Sequence, residues 1–170
     1  IRATVSINHP NKVEHSKYPF LKDLLPAEVI ARMDAVRHWT AAEVTDLYRW
    51  FHGAWHGAAG GRLRIAVSNS APQRVSDDYF GALSDFSRTH DLPFDIHMLE
   101  TRLQRVFGQE LLGKSLVRQV HDLGFLDERM LVIHAIWVWP SIGSPRSSAP
   151  HRLTTPACED AQANHARASR

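Results

Sequence analysis

Cysteine is nearly absent. Cys158 alone occupies the 170-residue sequence, which excludes an intrachain disulfide framework and any multi-cysteine zinc module. The same scarcity points to a reducing, cytoplasmic compartment. No apolar run approaches the roughly 18 residues needed to span a membrane. Charge of one sign is also lacking: 20 Lys+Arg face 18 Asp+Glu, a net of +2 that gives no footprint for nucleic acid or a membrane surface. There is no GxSxG elbow, and no Ser/His/Asp or Cys/His arrangement of the kind used in nucleophilic catalysis. No charged-then-apolar leader follows Ile1, and the start at Ile rather than Met reads as part of a longer protein. What is present, 44% hydrophobic and 22% charged residues, suits a globular chain with a core.

Four β-branched apolar runs stand out: Arg2–Ile7, Arg62–Ser68, Pro93–Met98 and Met130–Trp137. Each predicts a short buried strand. Helical periodicity lies between them, over Pro26–His38, Ala41–Trp55, Ser76–Thr89 and Ser115–Leu123, the last stopped by Gly124. Alternating strand and helix predict an α/β class with parallel strands. Strand starts at 62, 93 and 130 are spaced as in a barrel or a doubly wound sheet. A complete eight-unit barrel needs about 250 residues, so four units make roughly half of one. Residues 140–170 differ: they hold four of the nine prolines, no aromatic residue and no period. They read as a disordered or non-native tail, as a truncated or frame-shifted gene would leave.

Two histidines close consecutive strands, His97 in His97-Met98-Leu99-Glu100 and His134 in Ile133-His134-Ala135. Carboxyl ends of neighbouring parallel strands converge on one site, where two neutral imidazoles could share a metal. Glu100 would join them only if the strand ends near Met98 and the carboxylate lies on the turn, beside a water it could deprotonate. The structural alternatives stay open on this evidence: His97 and His134 as hydrogen-bonded core residues, Glu100 as a helix cap.

The stretches FDIHMLETRLQ (94–104) and GKSLVRQVHDLGFLDERMLVIHAIWV (113–138) resemble the metal-dependent amidohydrolase superfamily, on the branch of chlorohydrolases and aminohydrolases that deaminate triazines, purines, pterins and cytosine. That family ends its fifth barrel strand in His-x-x-Glu and its sixth in His followed by a small residue. SNSAPQRVSDDYF (68–80) looks like its fourth strand and following loop, and residues 1–20 like its third strand. The resemblance implies a partial (β/α)8 barrel over 1–139, third to sixth strands, hydrolysing a C–N bond of a small heterocyclic substrate through metal-activated water. It implies His97 and His134 as ligands of a divalent metal (zinc, or iron), Glu100 and His134 as catalytic residues, and Gln73 and Arg74 as substrate contacts. The family's first-strand His-x-His pair and eighth-strand Asp have no counterpart here, so the ligand set is incomplete and little activity is expected.

Two other readings compete. A barrel fragment with open edges could be non-catalytic and self-associate into a homo-oligomer. Gly108-Gln-Glu-Leu-Leu-Gly113-Lys114-Ser115 matches the phosphate-loop pattern GxxxxGK[ST], although TRLQRVF before it is too charged for a central strand and Ser115 could simply cap a helix. His52 and His56, four apart, read as surface or core histidines. His9 and His15 are expected in a solvated loop, and Trp39, Trp50 and Trp55 in the core.

Overall fold

Among the described residues, successive strand runs pair in parallel in chain order. The computed structural model describes residues 1–138, so the expected tail lies outside the described residues. The strands are β1 (Ala3–Val5), β2 (Leu63–Ile65), β3 (Val67–Asn69), β4 (Phe94–Met98) and β5 (Met130–His134). The helices are α1 (Glu14–Lys17), α2 (Leu21–Leu24), α3 (Ala27–Asp34), α4 (Ala41–Trp55), α5 (Ala58–Gly61), α6 (Asp77–His90), α7 (Arg102–Leu112) and α8 (Leu116–Asp122). β1 pairs with β2, β3 with β4, and β4 with β5, all parallel. The run Arg62–Ser68 is one extended segment divided at Ala66, whose N–H goes to the Val5 carbonyl, while the next N–H, of Val67, goes to Pro93. No helix among the described residues is long and apolar enough to cross a membrane.

Strand alternation separates two faces. Phe94, Ile96 and Met98 of β4 are buried, and Asp95 and His97 between them are only half-buried. The buried side packs against Tyr79, Phe80 and Leu83 of α6 together with Leu116 and Val120 of α8. Phe80 meets Phe94 edge-on at 5.6 Å. Each such side chain contributes about 1.5–3 kcal/mol by leaving water. Tyr48 and Val44 of α4 belong to the same core, the Tyr48 ring 5.7 Å from that of Phe86 on α6.

The phosphate-loop reading is corrected here. Its residues lie in a helix-turn-helix: Gly108 is inside α7, Gly113 takes φ 65° as the α7 cap, and the Ser115 hydroxyl accepts the Arg118 N–H at 3.1 Å to start α8. A helix precedes the motif where a phosphate cradle needs a strand. Gly108 serves packing instead, because a Cβ there would stand 2.8 Å from the Lys114 carbonyl oxygen and 3.2 Å from the Leu116 nitrogen. Gly108→Ala is therefore expected to destabilise the fold by about 1–3 kcal/mol, read as a lower urea midpoint. An unchanged midpoint would show that the turn gives way freely.

Two further expectations change. Helices α1 and α2 occupy what reads as loop after β1, while α3 falls within the helical run expected over Pro26–His38; His15 is buried with its Nε2 2.6 Å from Asp34 Oδ1, and the His9 ring lies against Trp39. Trp39 packs on the core as expected, but Trp50 and Trp55 are exposed, at 62% and 46%.

Candidate metal centre

His97 belongs to the half-buried face of β4, two residues beyond Asp95, whose carboxylate accepts from the Ser68 hydroxyl on β3. The β4–β5 register sets Ile133 beside His97 and His134 beside Met98. Neighbours in a parallel ladder share a face, so an ordinary strand would send the His134 ring into the helix layer with Met98. It does not go there. His134 has φ 78° and Ala135 φ 52°, and this left-handed pair swings the imidazole round to His97. His97 Nδ1 and His134 Nε2 are 3.0 Å apart, one nitrogen donating to the other.

Leu99, at φ 55°, makes the matching turn after β4. β4 ends at Met98 and Glu100 lies on the turn, as its participation requires. Its Oε2 is 3.8 Å from His134 Nε2. Two hydrogen bonds lace the turns together, Ala135 N–H to Met98 O at 3.0 Å and Trp137 N–H to Leu99 O at 3.1 Å. Among the described residues, three of the five non-glycine positions with positive φ are at this mouth, a concentration of strain typical of functional sites.

One ligand atom from each of His97, Glu100 and His134 falls within 4.8 Å of the other two. Zinc–imidazole bonds of about 2.0–2.1 Å in tetrahedral array hold two nitrogens roughly 3.3 Å apart. The 3.0 Å between His97 Nδ1 and His134 Nε2 is close to that spacing, so the donor set fits a shared ion with small movements. It supplies two imidazole ligands, with the Glu100 carboxylate beside them for proton transfer, where a hydrolytic zinc site has three protein ligands and a water.

Gln73 and Arg74 lie on the 3₁₀ turn Pro72–Arg74 that follows β3. Arg74 Nη1 donates to the Ser70 hydroxyl at 2.9 Å. Gln73 is buried, at 4% exposure, and lines a small cavity with Lys12, Asp77, Phe80 and Gln119. His97, Glu100 and His134 do not border that cavity. The structure thus brings together three of the five expected site residues. Two further residues support the cluster: Asp95, and Gln104, a buried residue of α7 whose side chain accepts the Glu100 N–H. Alternation back from His97 points to the first, and the spacing Thr101-x-x-Gln104 signals the second.

A second group of imidazoles lies where α4 and α6 end. The His52 ring is 4.6 Å from that of His56 and 4.7 Å from that of His90, centroid to centroid. His56 Nδ1 accepts the Ile65 N–H at 3.3 Å, which requires an unprotonated Nδ1. Burial, and then the neighbouring His56 and His90, hold the His52 pKa below its ordinary value. A histidine whose pKa is depressed by folding favours the folded state at pH above its unfolded value, and that stability is lost as the pH falls through the folded value. The urea midpoint is therefore expected to drop between about pH 7 and 5, and to drop less in His52→Leu. Parallel pH profiles for the two proteins would contradict this.

No family model matches the sequence. Curated relatives do. A 5'-deoxyadenosine deaminase of Methanosarcina mazei is 32% identical over 88 residues, 52% of this chain and 20% of that protein. A 5-methylthioadenosine/S-adenosylhomocysteine deaminase of Symbiobacterium thermophilum is 31% identical over 107 residues, 63% of this chain and 22% of that protein. The chain spans about a fifth of the length of the curated relatives it matches. Among solved structures, the atrazine chlorohydrolase TrzN of Arthrobacter aurescens TC1 complexed with zinc aligns with TM-score 0.63 and 16% identity, over 82% of this chain and 28% of that one. An adenosine deaminase of Xanthomonas campestris with bound zinc aligns with TM-score 0.52 and 18% identity, over 81% and 26%. At those identities the structural likeness is one of fold, and the sequence relatives carry the resemblance to the metal-dependent amidohydrolases: over 52–63% of its length the chain is similar to deaminases.

Proposed function

We propose that residues 1–138 are the third to sixth strand-helix units of a (β/α)8 barrel and carry part of the site of a metal-dependent hydrolase that deaminates a heterocyclic ring. The adenosine-type compounds in the relatives' names make a 6-aminopurine nucleoside the favoured substrate class. The parallel strands, paired in chain order, support the barrel. The meeting of His97 and His134 at 3.0 Å, with Glu100 beside them, carries the functional reading.

His97 and His134 would hold the ion through neutral imidazole nitrogens. Bound there, zinc would supply Lewis acidity and an activated water. Glu100, reaching the same mouth from the turn, takes a proton from that side and delivers it to the ring nitrogen or the departing amine. Arg74, half-buried on the loop after β3 and tethered to Ser70, is the substrate contact of this scheme. The deaminase relatives favour this reading over a non-catalytic fragment or a nucleotide-binding domain.

Equilibrium dialysis against micromolar zinc at neutral pH, followed by metal analysis, tests it. One ion retained per chain is the expected result. Retention no greater than that of His97→Ala would refute the centre.

A further inference from the structure

The carboxylate of Glu100 has to be held in the mouth, yet it projects from a turn. Its nearest partner in the cluster is 3.8 Å away, too long for a hydrogen bond to fix the side chain. The backbone is fixed instead. On one side Leu99 is locked at φ 55°, with its carbonyl bound by the Trp137 N–H. On the other side, the Gln104 side chain folds back and its Oε1 accepts the Glu100 N–H at 2.7 Å. Gln104 is 6% exposed, so this bond is shielded from water. The Thr101 hydroxyl accepts the Gln104 N–H at 3.4 Å in return. An ordinary capping box reaches back to the N-cap residue, here Thr101. This one reaches one residue further, to Glu100, so the start of α7 grips the functional residue itself.

We infer that Gln104 is a positioning residue, setting the Glu100 carboxylate against the His97–His134 pair through the Glu100 amide. The inference rests on the metal-centre reading and concerns a residue outside the donor set.

Cobalt(II), whose visible absorption reports coordination, is titrated into the metal-free chain as wild type, Glu100→Gln, Gln104→Met, the double variant, Gln104→Glu and His97→Ala. Met keeps the length of Gln without its acceptor, and Glu restores an acceptor. Glu100→Gln and Gln104→Met are each expected to weaken cobalt binding about tenfold, and Gln104→Glu is expected to stay within about threefold of wild type. The double variant should be no weaker than Glu100→Gln alone, because Gln104 acts only through that carboxylate. Additive losses, wild-type affinity in Gln104→Met, or no loss in Glu100→Gln would each overturn the inference. Wild-type affinity in His97→Ala would instead sink the metal centre itself, which keeps the two failures distinct. If Gln104→Met does not fold, hydrogen exchange at the Glu100 amide of the wild-type chain decides: protection like that of an inner helix amide supports the inference, and exchange at the free-peptide rate overturns it.

Discussion

Alanine at His97 or at His134 is expected to weaken zinc binding at least about a hundredfold, beyond the 10–100-fold that loss of a supporting partner costs. Each substitution leaves one imidazole and a partly exposed carboxylate, little more than any surface pair of a histidine and a carboxylate offers. Exposed His121 on α8, next to Asp122, is such a pair, and His121→Ala is expected to leave zinc affinity unchanged. Binding should also fall steeply as the medium is acidified, because zinc competes with protons for the imidazole nitrogens. His134 allows a sharper form of the test. Its φ of 78° costs a non-glycine residue about 1–2 kcal/mol, a strain that glycine does not feel. His134→Gly is accordingly expected to lose zinc as completely as His134→Ala while unfolding at a higher urea concentration than that variant. The histidine would then be kept in a strained position for what its ring does there. Equal midpoints in the two variants would remove the strain argument, and undiminished zinc affinity in either would remove the site.

The four strand runs were legible because alternation and β-branching survive in short segments, and Phe94–Met98 shows why: every second residue faces the helix layer. Their burial was not, since β1 and β5 are half-buried to exposed where buried strands are expected, with Leu131 62% exposed. That His134 closes β5 was legible, but the turn by which the strand ends was not. Apolar letters continue to Trp137, but two left-handed residues take the chain out of the ladder after His134, and nothing in Ile133-His134-Ala135 announces a positive φ at non-glycine positions. Helix α7 was missed for a different reason. Its charged residues argued correctly against a strand, and the phosphate-loop spelling drew attention from the Thr101 cap and the Gly113 stop that bound a helix. The His97, Glu100 and His134 grouping could be anticipated from strand ends, since parallel strands bring their carboxyl ends together. Gln73 shows the limit of that logic: it lies on the loop after β3, yet its side chain turns into a separate cavity between α6 and α8.

Tyr48→Phe is expected to cost about 2–4 kcal/mol, a large share of the 5–15 kcal/mol typical of a whole domain. The side chain is fully buried, and its ring would be retained against Phe86 at 5.7 Å. The loss is confined to the hydroxyl, which uses all its bonding capacity: it donates to the Ile7 carbonyl at 2.6 Å and accepts the N–H groups of Ile7 at 3.1 Å and Ser68 at 2.9 Å. Phenylalanine would strand the buried Ser68 N–H, at about 1–3 kcal/mol, while the part-buried Ile7 N–H and carbonyl, within reach of water, add less. The position explains why this one oxygen matters. β1 pairs with β2 while β4 pairs with β3, and among the described residues the strand pairing passes from one ladder to the other through the run that divides at Ala66. Tyr48 reaches across that division from α4, tying the segment after β1 to β3, on which Ser68 also supports Asp95 below His97. Burial pushes the hydroxyl pKa well above the ordinary tyrosine value, so the proton it donates is present across the whole neutral range. The deficit of Tyr48→Phe should therefore be the same at pH 6 and pH 8, unlike the acid-sensitive contribution of His52. A urea midpoint within about 1 kcal/mol of wild type would mean that water replaces the hydroxyl, and that the joint between the two ladders is open to solvent.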